Sequence, residues 1–495
     1  MLVKNKKGWC KETEILVLGF GGAGGVAAIT ACDAGSEVTI LEKQPAQTHI
    51  TNTGMSAGVY IVVNDVAKAV TYMEHLYSVG DHLHWTDRET IQIWAEYCTE
   101  NTQWLAGIGG RMSMFGFGGE HHHVPGCEAI EMHVQAGMGP GLQKLLEKAV
   151  EARGIAVSYG TRAKKILTNT QGKVIGVLAE QEGREVTFRA SRAVIMATGG
   201  FEFDEDMKLN YLKVHPSYFG GTPANTGDGI RMAQDVGASL WHMNCCSARL
   251  VGKFPGIPNA TYLDFGGKQL FSRMQKFARE GFFSPFIIVD KYGRRFTNDG
   301  EIKTHSLYYE LATYDSQLLD YPRVPCYLIF DLTRLNASPL PVPWAKYFYA
   351  WSKDNLAELE KGWIVQGESL SELSLRLKME PAILKRTVRN YNRYCEQGED
   401  PEFHRPPQHL KPLNNAPFFA VPLWPGGPNT QGGPCRNARA QVLNVDGKPI
   451  PRLYAAGELG SIYGMIYPAG GGNIAECIAF GRIAGEQAAK EIPIS

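Results

Sequence analysis

The segment Glu14–Glu42 constrains this chain more than any other. A short apolar run, Glu14–Leu18, leads directly into Gly19-Phe-Gly21-Gly-Ala-Gly24. A small-residue stretch, Val26–Ala34, follows, and Gly35 stops it. A second run, Glu37–Leu41, ends at an acid, Glu42. The pattern predicts strand, tight turn, helix and parallel strand, which is one βαβ unit. Gly19 permits the turn, Gly21 lets backbone approach a diphosphate, and Gly24 lets helix pack on strand. The helix N-terminus offers open amides and a partial positive charge to that diphosphate. Glu42 stands where it can accept hydrogen bonds from ribose hydroxyls. The unit predicts a dinucleotide site but does not separate FAD from NAD.

The rest of the chain, 495 residues in all, is long enough for two domains. Residues 86–109 read as helical, Gly116–Gly126 as a Gly- and His-rich loop, and Leu142–Gly154 as an amphipathic helix. Ile155–Phe188 reads as alternating strands turning at Gln171-Gly172. Ala193–Ala197 is a buried strand capped by Thr198-Gly199-Gly200, and Thr226–Gly237 begins a helix. Near Ala260 the composition shifts toward aromatics, prolines and charges, and it returns near Leu413. Beyond lie a strand at Phe418–Val421, a Gly/Pro-rich loop at Pro425–Gly433, a strand at Leu453–Ala456 and a helix from Asn473 to Lys490.

Charge excludes some partners. Lys+Arg and Asp+Glu balance at 50 each, and no polybasic run appears, so nothing points to nucleic acid or an anionic membrane surface. No apolar stretch predicts a transmembrane segment. The basic N-terminus runs into polar Lys11–Glu14 without a signal-peptide apolar core, so the expected location is the cytoplasm. The cysteines form no Cys-x-x-Cys pair, and adjacent Cys245 and Cys246 would make a strained disulfide. Three consecutive histidines, His121–His123, cannot all face one ion, so no metal site is expected.

The C-terminal third carries a resemblance. Ile450-Pro-Arg-Leu-Tyr-Ala-Ala-Gly457-Glu458, then Gly472-Asn473, then Ile478–Glu486 resemble the fumarate reductase/ketosteroid dehydrogenase flavoprotein superfamily. So do Thr53-Gly54-Met55-Ser56-Ala57-Gly58, Ala197-Thr198-Gly199-Gly200, Thr226-Gly-Asp228-Gly229 and Gly293-Arg-Arg-Phe-Thr-Asn298. The resemblance implies an α/β fold: a Rossmann-like FAD-binding domain, 1–264 and 414–495, with an inserted α+β substrate (capping) domain, 265–413. It implies that FAD is the cofactor. Glu458 would bind the ribityl chain or ribose, Met55, Ser56 and Ala57 would line the flavin and pyrophosphate, and Ala163 would meet adenine. Asn473 and Ile474 would start a helix aimed at the flavin O2, with Asn473 also serving as an N-cap. Further cofactor contacts are expected at Gly22, Ala23, Lys43, Asn225 and Gly472.

Two branches of that superfamily differ around Tyr467. In fumarate reductases an Arg before the Leu-Gly-Gly-Asn segment binds a substrate carboxylate, and the matching residue here is Ala469. The stretch Ser461-x-Tyr-Gly464-x-x-Tyr467-Pro-x-x-Gly471 is similar instead to 3-ketosteroid Δ1-dehydrogenases. There a Tyr and a Gly four residues later hold the substrate ketone, and Tyr467 and Gly471 match both. Tyr467 could equally be packed on the flavin. An ungapped count from Arg295 places Lys303 where those enzymes carry a Tyr and fumarate reductases an Arg. Lys303 is a candidate base, a carboxylate anchor or a solvated side chain, and His305 is a second candidate for proton transfer. Glu120 or His121 falls where the steroid enzymes have a supporting Tyr, which suggests a polar pocket wall. The expected activity is desaturation of the α,β bond of a cyclic ketone, a steroid or a smaller ring such as 4-oxocyclohexanecarboxylate. An electron acceptor, either O2, a quinone or a carrier, completes it. The alternative is reduction of an activated C=C bond.

Overall fold

The computed structural model describes residues 11–80, 83–266, 284–300, 305, 307–342 and 347–494. The chain separates into two compact units. The first comprises residues 1–212, 221–247 and 429–495, and the second 213–220 and 248–428.

In the first unit, β1 (Lys11–Leu18) lies between β2 (Val38–Leu41) and β4 (Arg184–Met196), parallel to both. β3 (Ala156–Ser158) extends the parallel sheet beyond β2, and β5 (Pro449–Ala455) extends it beyond β4. Ile15–Leu18 are at most 1% exposed, as expected where a parallel sheet is covered on both faces. β4 unites what the sequence reads as two strands. Its first half pairs antiparallel with Val174–Gln181 and its second half parallel with β1, so one chain segment serves two neighbours. Helix α1 (Gly22–Asp33) packs on the final helix, α2 (Gly472–Ala489). Glycines permit that contact: a Cβ on Gly485 would lie 2.6 Å from the Ala27 carbonyl oxygen. A separate antiparallel sheet, Val59–Val63, Ile130–Gln135 and Met112–Phe117, leads into the histidine loop.

The second unit is built on the strand Phe418–Gly427. It pairs antiparallel with Cys326–Asp331, Arg249–Gly252 and Val365–Gly367, and parallel with Tyr218–Phe219. This strand runs six residues past the expected end at Val421, into the segment read as loop, because Pro425 and Gly426 oppose Leu250 and Arg249. Gly426 is required there, since a Cβ would lie 1.6 Å from the Tyr218 carbonyl oxygen. Arg295, from the Gly293–Asn298 block, is buried in ion pairs with Asp299 at 3.0 Å and Asp400 at 2.7 Å, so that block braces this unit. Among the described residues no helix is long and apolar enough to cross a membrane, every cysteine is a free thiol, and no His/Cys/Asp/Glu cluster could hold a metal.

Candidate functional site

A cleft of about 810 Å³, counting its open mouth, forms in the first unit at the carboxyl ends of the parallel strands. Ligands of doubly wound sheets bind at such ends. Its wall contains Gly19, Gly21, Gly22 and Ala23, with Glu42 and Lys43 after β2 and Ala197, Thr198 and Gly199 after β4. Gly457 and Glu458 follow β5, and Thr53, Ala163, Asn225 and Asp228 complete the expected set. Gly19 has φ +99°, and a Cβ there would lie 2.4 Å from the Ala197 carbonyl oxygen. Gly24 stands behind the wall, where a Cβ would meet the Gly19 carbonyl oxygen at 2.0 Å. A Cβ on Gly21 would meet nothing within 4 Å, so it would project into the space a ligand fills. Gly21 is the N-cap of α1 and has no side chain to cap it, so this helix start faces the cleft with, among the described residues, only the Gly22 N–H taken, by the Thr53 hydroxyl at 2.9 Å.

Charged groups ring this wall. Glu42 is 5% exposed, and its carboxylate accepts the N–H groups of Phe20 at 2.9 Å and Gln44 at 2.8 Å. Burial alone would raise its carboxyl. His49 at 3.6 Å and the two amides outweigh burial and hold it below its ordinary value. Asp228 behaves alike: burial is outweighed by Arg162 and Lys43, whose nitrogens lie 2.7 and 2.9 Å from its oxygens. Glu458 accepts from Asn52 at 3.1 and 3.0 Å, from the Gly200 N–H at 2.8 Å and from Asn225. The Thr198 hydroxyl is buried without a partner among the described residues, as expected of a group meant for a ligand. A helix N-terminus, a carboxylate that accepts from ribose and an unsatisfied hydroxyl are the groups that FAD requires, and the residues fit it. Sequence reasoning missed Asn52, Arg162 and Cys477, which also line the cleft. Asn52 stands directly before the Thr53–Gly58 block, which was the available signal.

The remaining expected residues stand outside that wall. Gly54 and Met55 end the short helix Asn52–Met55; the Ser56 hydroxyl donates to the Thr53 carbonyl at 2.7 Å and accepts the Gly58 N–H at 3.0 Å, closing a turn across Ala57. Gly472, Asn473 and Ile474 form the first turn of α2, one turn before Cys477. Asn473 is not the N-cap. Gly471 is, at φ 90°, because Gln431 donates to the Asn473 side chain at 3.0 Å and that side chain donates to Asn429.

Tyr467 meets the same helix start. The Asn473 N–H donates to its hydroxyl oxygen at 2.7 Å, and its ring stands edge-on to Tyr463. Burial holds the Tyr467 hydroxyl well above its ordinary pKa, and the Glu120 carboxylate adds to this, so it is a neutral donor. A Cβ on Gly471 would lie 2.6 Å from the Val59 carbonyl carbon, so only glycine fits. The histidine loop reaches the next residue: the Glu120 N–H and the Tyr72 hydroxyl both donate to the Pro468 carbonyl, at 2.9 and 2.7 Å. The His121 N–H donates to the Tyr72 hydroxyl at 3.3 Å. His305 is half-buried in a turn of the second unit, and Lys303 lies outside the described residues.

A parallel sheet with this cleft defines a dinucleotide-binding protein. The sequence matches the FAD binding domain family over residues 14–474, and the chain belongs to that family. It binds FAD and is an FAD-dependent oxidoreductase of the fumarate reductase/ketosteroid dehydrogenase superfamily. It is 28% identical over 506 residues to a probable fumarate reductase of Shewanella frigidimarina (strain NCIMB 400), covering 97% of this chain and 75% of that protein. It is 27% identical over 383 residues to a 4-oxocyclohexanecarboxylate 2-dehydrogenase of Sinomonas cyclohexanicum, covering 72% of this chain and 62% of that protein. Its fold is similar to that of 3-ketosteroid Δ1-dehydrogenase from Sterolibacterium denitrificans, with a TM-score of 0.82 at 20% identity, over 97% of this chain and 99% of the other.

Proposed function

We propose that this enzyme desaturates the α,β C–C bond beside the carbonyl of a cyclic ketone. The pairing of Tyr467 and Gly471 at the start of α2 carries the reading. The Asn473 N–H donates into the Tyr467 oxygen, which polarises the hydroxyl and strengthens it as a donor. Among the described residues no acceptor takes the Gly471 N–H. Tyr467 and Gly471 each offer a donor to a ketone oxygen, and the N-terminal end of α2 adds a partial positive charge. Two such bonds stabilise the charge that builds on that oxygen as the α proton leaves, which lowers the barrier to its removal. Lys303 is the proposed acceptor of that proton, with His305 as the second candidate, and Glu120 and His121 wall the pocket. Bound FAD supplies the two-electron acceptor for the β hydrogen.

Ala469 supports this direction. It stands where fumarate reductases carry an Arg and is fully buried, so no cation is available at that position to hold a substrate carboxylate. The similarity to the 4-oxocyclohexanecarboxylate dehydrogenase also favours a cyclic ketone, of which that compound is the first to try. Reduction of an activated C=C bond is the second reading, favoured by the similarity to a probable fumarate reductase along 97% of the chain. Anaerobic titration decides between them. A cyclic ketone should bleach the oxidised flavin, whereas reoxidation of the reduced enzyme by fumarate, with no ketone active, would establish the second reading.

A further inference from the structure

Glu202 has no place in the reading above. It follows Gly199-Gly200-Phe201 and is 1% exposed. Its Oε1 accepts the Thr430 N–H at 2.9 Å. Its Oε2 is buried and finds no donor among the described residues. Gly200 brings it against Glu458. A Cβ on Gly200 would lie 2.9 and 3.1 Å from the two Glu202 oxygens, while the Gly200 N–H donates to Glu458. Among the described residues neither carboxylate is ion-paired; burial raises both, the Glu458 charge raises Glu202 further, and a hydrogen bond from Glu202 offsets part of the burial at Glu458. Two buried carboxyls that flank Gly200 and share a hydrogen bond cannot both ionise at modest cost, so one of them keeps a proton.

We propose that Glu202 and Glu458 share one proton, and that this proton allows the anionic diphosphate of FAD to enter the cleft that Glu458 lines. With the proton in place the pair carries one negative charge. Its loss doubles that charge beside a polyanionic ligand, so FAD binding and proton retention reinforce each other. The titratable groups facing the pair are on α2. Glu476 and Cys477 both sense Glu458, and Glu476, with a carboxyl raised to about 7, is ion-paired with buried Arg436. Asn52, Asn225 and Thr430 contribute no charge. The proposal concerns cofactor retention and does not depend on the ketone reading.

The test is FAD affinity of the apoprotein, read by quenching of FAD fluorescence from about pH 6 to about pH 10. The wild type should lose about tenfold in affinity per pH unit once the pair ionises, one proton released per FAD lost. Glu202→Gln fixes a neutral partner and should bind FAD at neutral pH with a profile that stays flat. A flat wild-type profile would overturn the proposal. So would a Glu202→Gln profile that keeps the wild-type slope, which would assign the titration to Glu476. Should that variant fail to fold, the infrared spectrum of the wild-type holoprotein decides. A carboxylic-acid C=O band that disappears together with FAD at high pH supports the shared proton, and absence of the band at neutral pH refutes it.

Discussion

Tyr467→Phe separates the structural bond that this hydroxyl makes from the chemical role proposed for it. The ring and its edge-on contact with Tyr463 at 5.6 Å remain. The Asn473 N–H, now 2.7 Å from an acceptor, loses it at the start of α2. Leaving a buried donor unpaired costs about 1–3 kcal/mol. In a unit of this size that is a fall of about 1.5 °C in Tm per kcal/mol. The second loss is one donor to the ketone oxygen, which should cost about 10²–10³ in rate. Gly471 still donates, so activity should fall without vanishing. The effect should lie in kcat, because the bond strengthens as charge develops. Stopped-flow bleaching of the flavin by a cyclic ketone reads the rate, and a thermal melt with an FAD titration reads the rest. A small Tm change with ketone turnover untouched would refute the role of Tyr467 in the chemistry. A wild type that reduces fumarate and oxidises no ketone would refute the direction.

The other predictions concern single groups. Glu42→Ala should weaken FAD binding by about 1.5–3 kcal/mol without altering the reaction, and unchanged affinity by fluorescence titration would remove Glu42 from the site. Gly471→Ala should lower both Tm and turnover, because its Cβ has no room against Val59 and Tyr60. Lys303→Met should reduce turnover far more than FAD affinity, and a near-native rate would return Lys303 to the solvent. Asp228 has its folded-state pKa depressed by Arg162 and Lys43, so its contribution is present above its ordinary value and is lost as pH falls through the folded one. The wild-type Tm should therefore drop below about pH 4, and Asp228→Asn, melted over the same range, should show a shallower drop.

The cofactor cleft was legible because its signals are local. The turn at Gly19, the helix of small residues after Gly24 and the acid at Glu42 lie within one short stretch, and each has a steric or electrostatic reason visible in sequence. What depends on distant partners was not legible. Glu202 is an unremarked acid until the fold sets Gly200 against Glu458. Asn473 reads as a cap, but Asn429 and Gln431 draw its side chain away and Gly471 takes the position. Prolines near Trp424 suggest a loop, yet Leu250 and Arg249 hold the segment in a sheet. The compositional change near Ala260 carries no information about such pairing, whereas the compact units divide at 248 and 428, where the strands do.

The glycine-mediated contact between α1 and α2 has a consequence for synthesis of the protein. Most of α1 is buried, and its partner helix begins roughly 440 residues after α1 ends. At about 5–20 residues per second the roughly 440 residues from Asp33 to Gly472 take about 20–90 s to emerge from the ribosome. Throughout that interval the face of α1 that α2 will cover is open to other nascent chains. Slower initiation on the message, or added chaperone, should therefore raise the yield of folded, FAD-loaded protein more than stronger expression does, as read by the yellow soluble fraction.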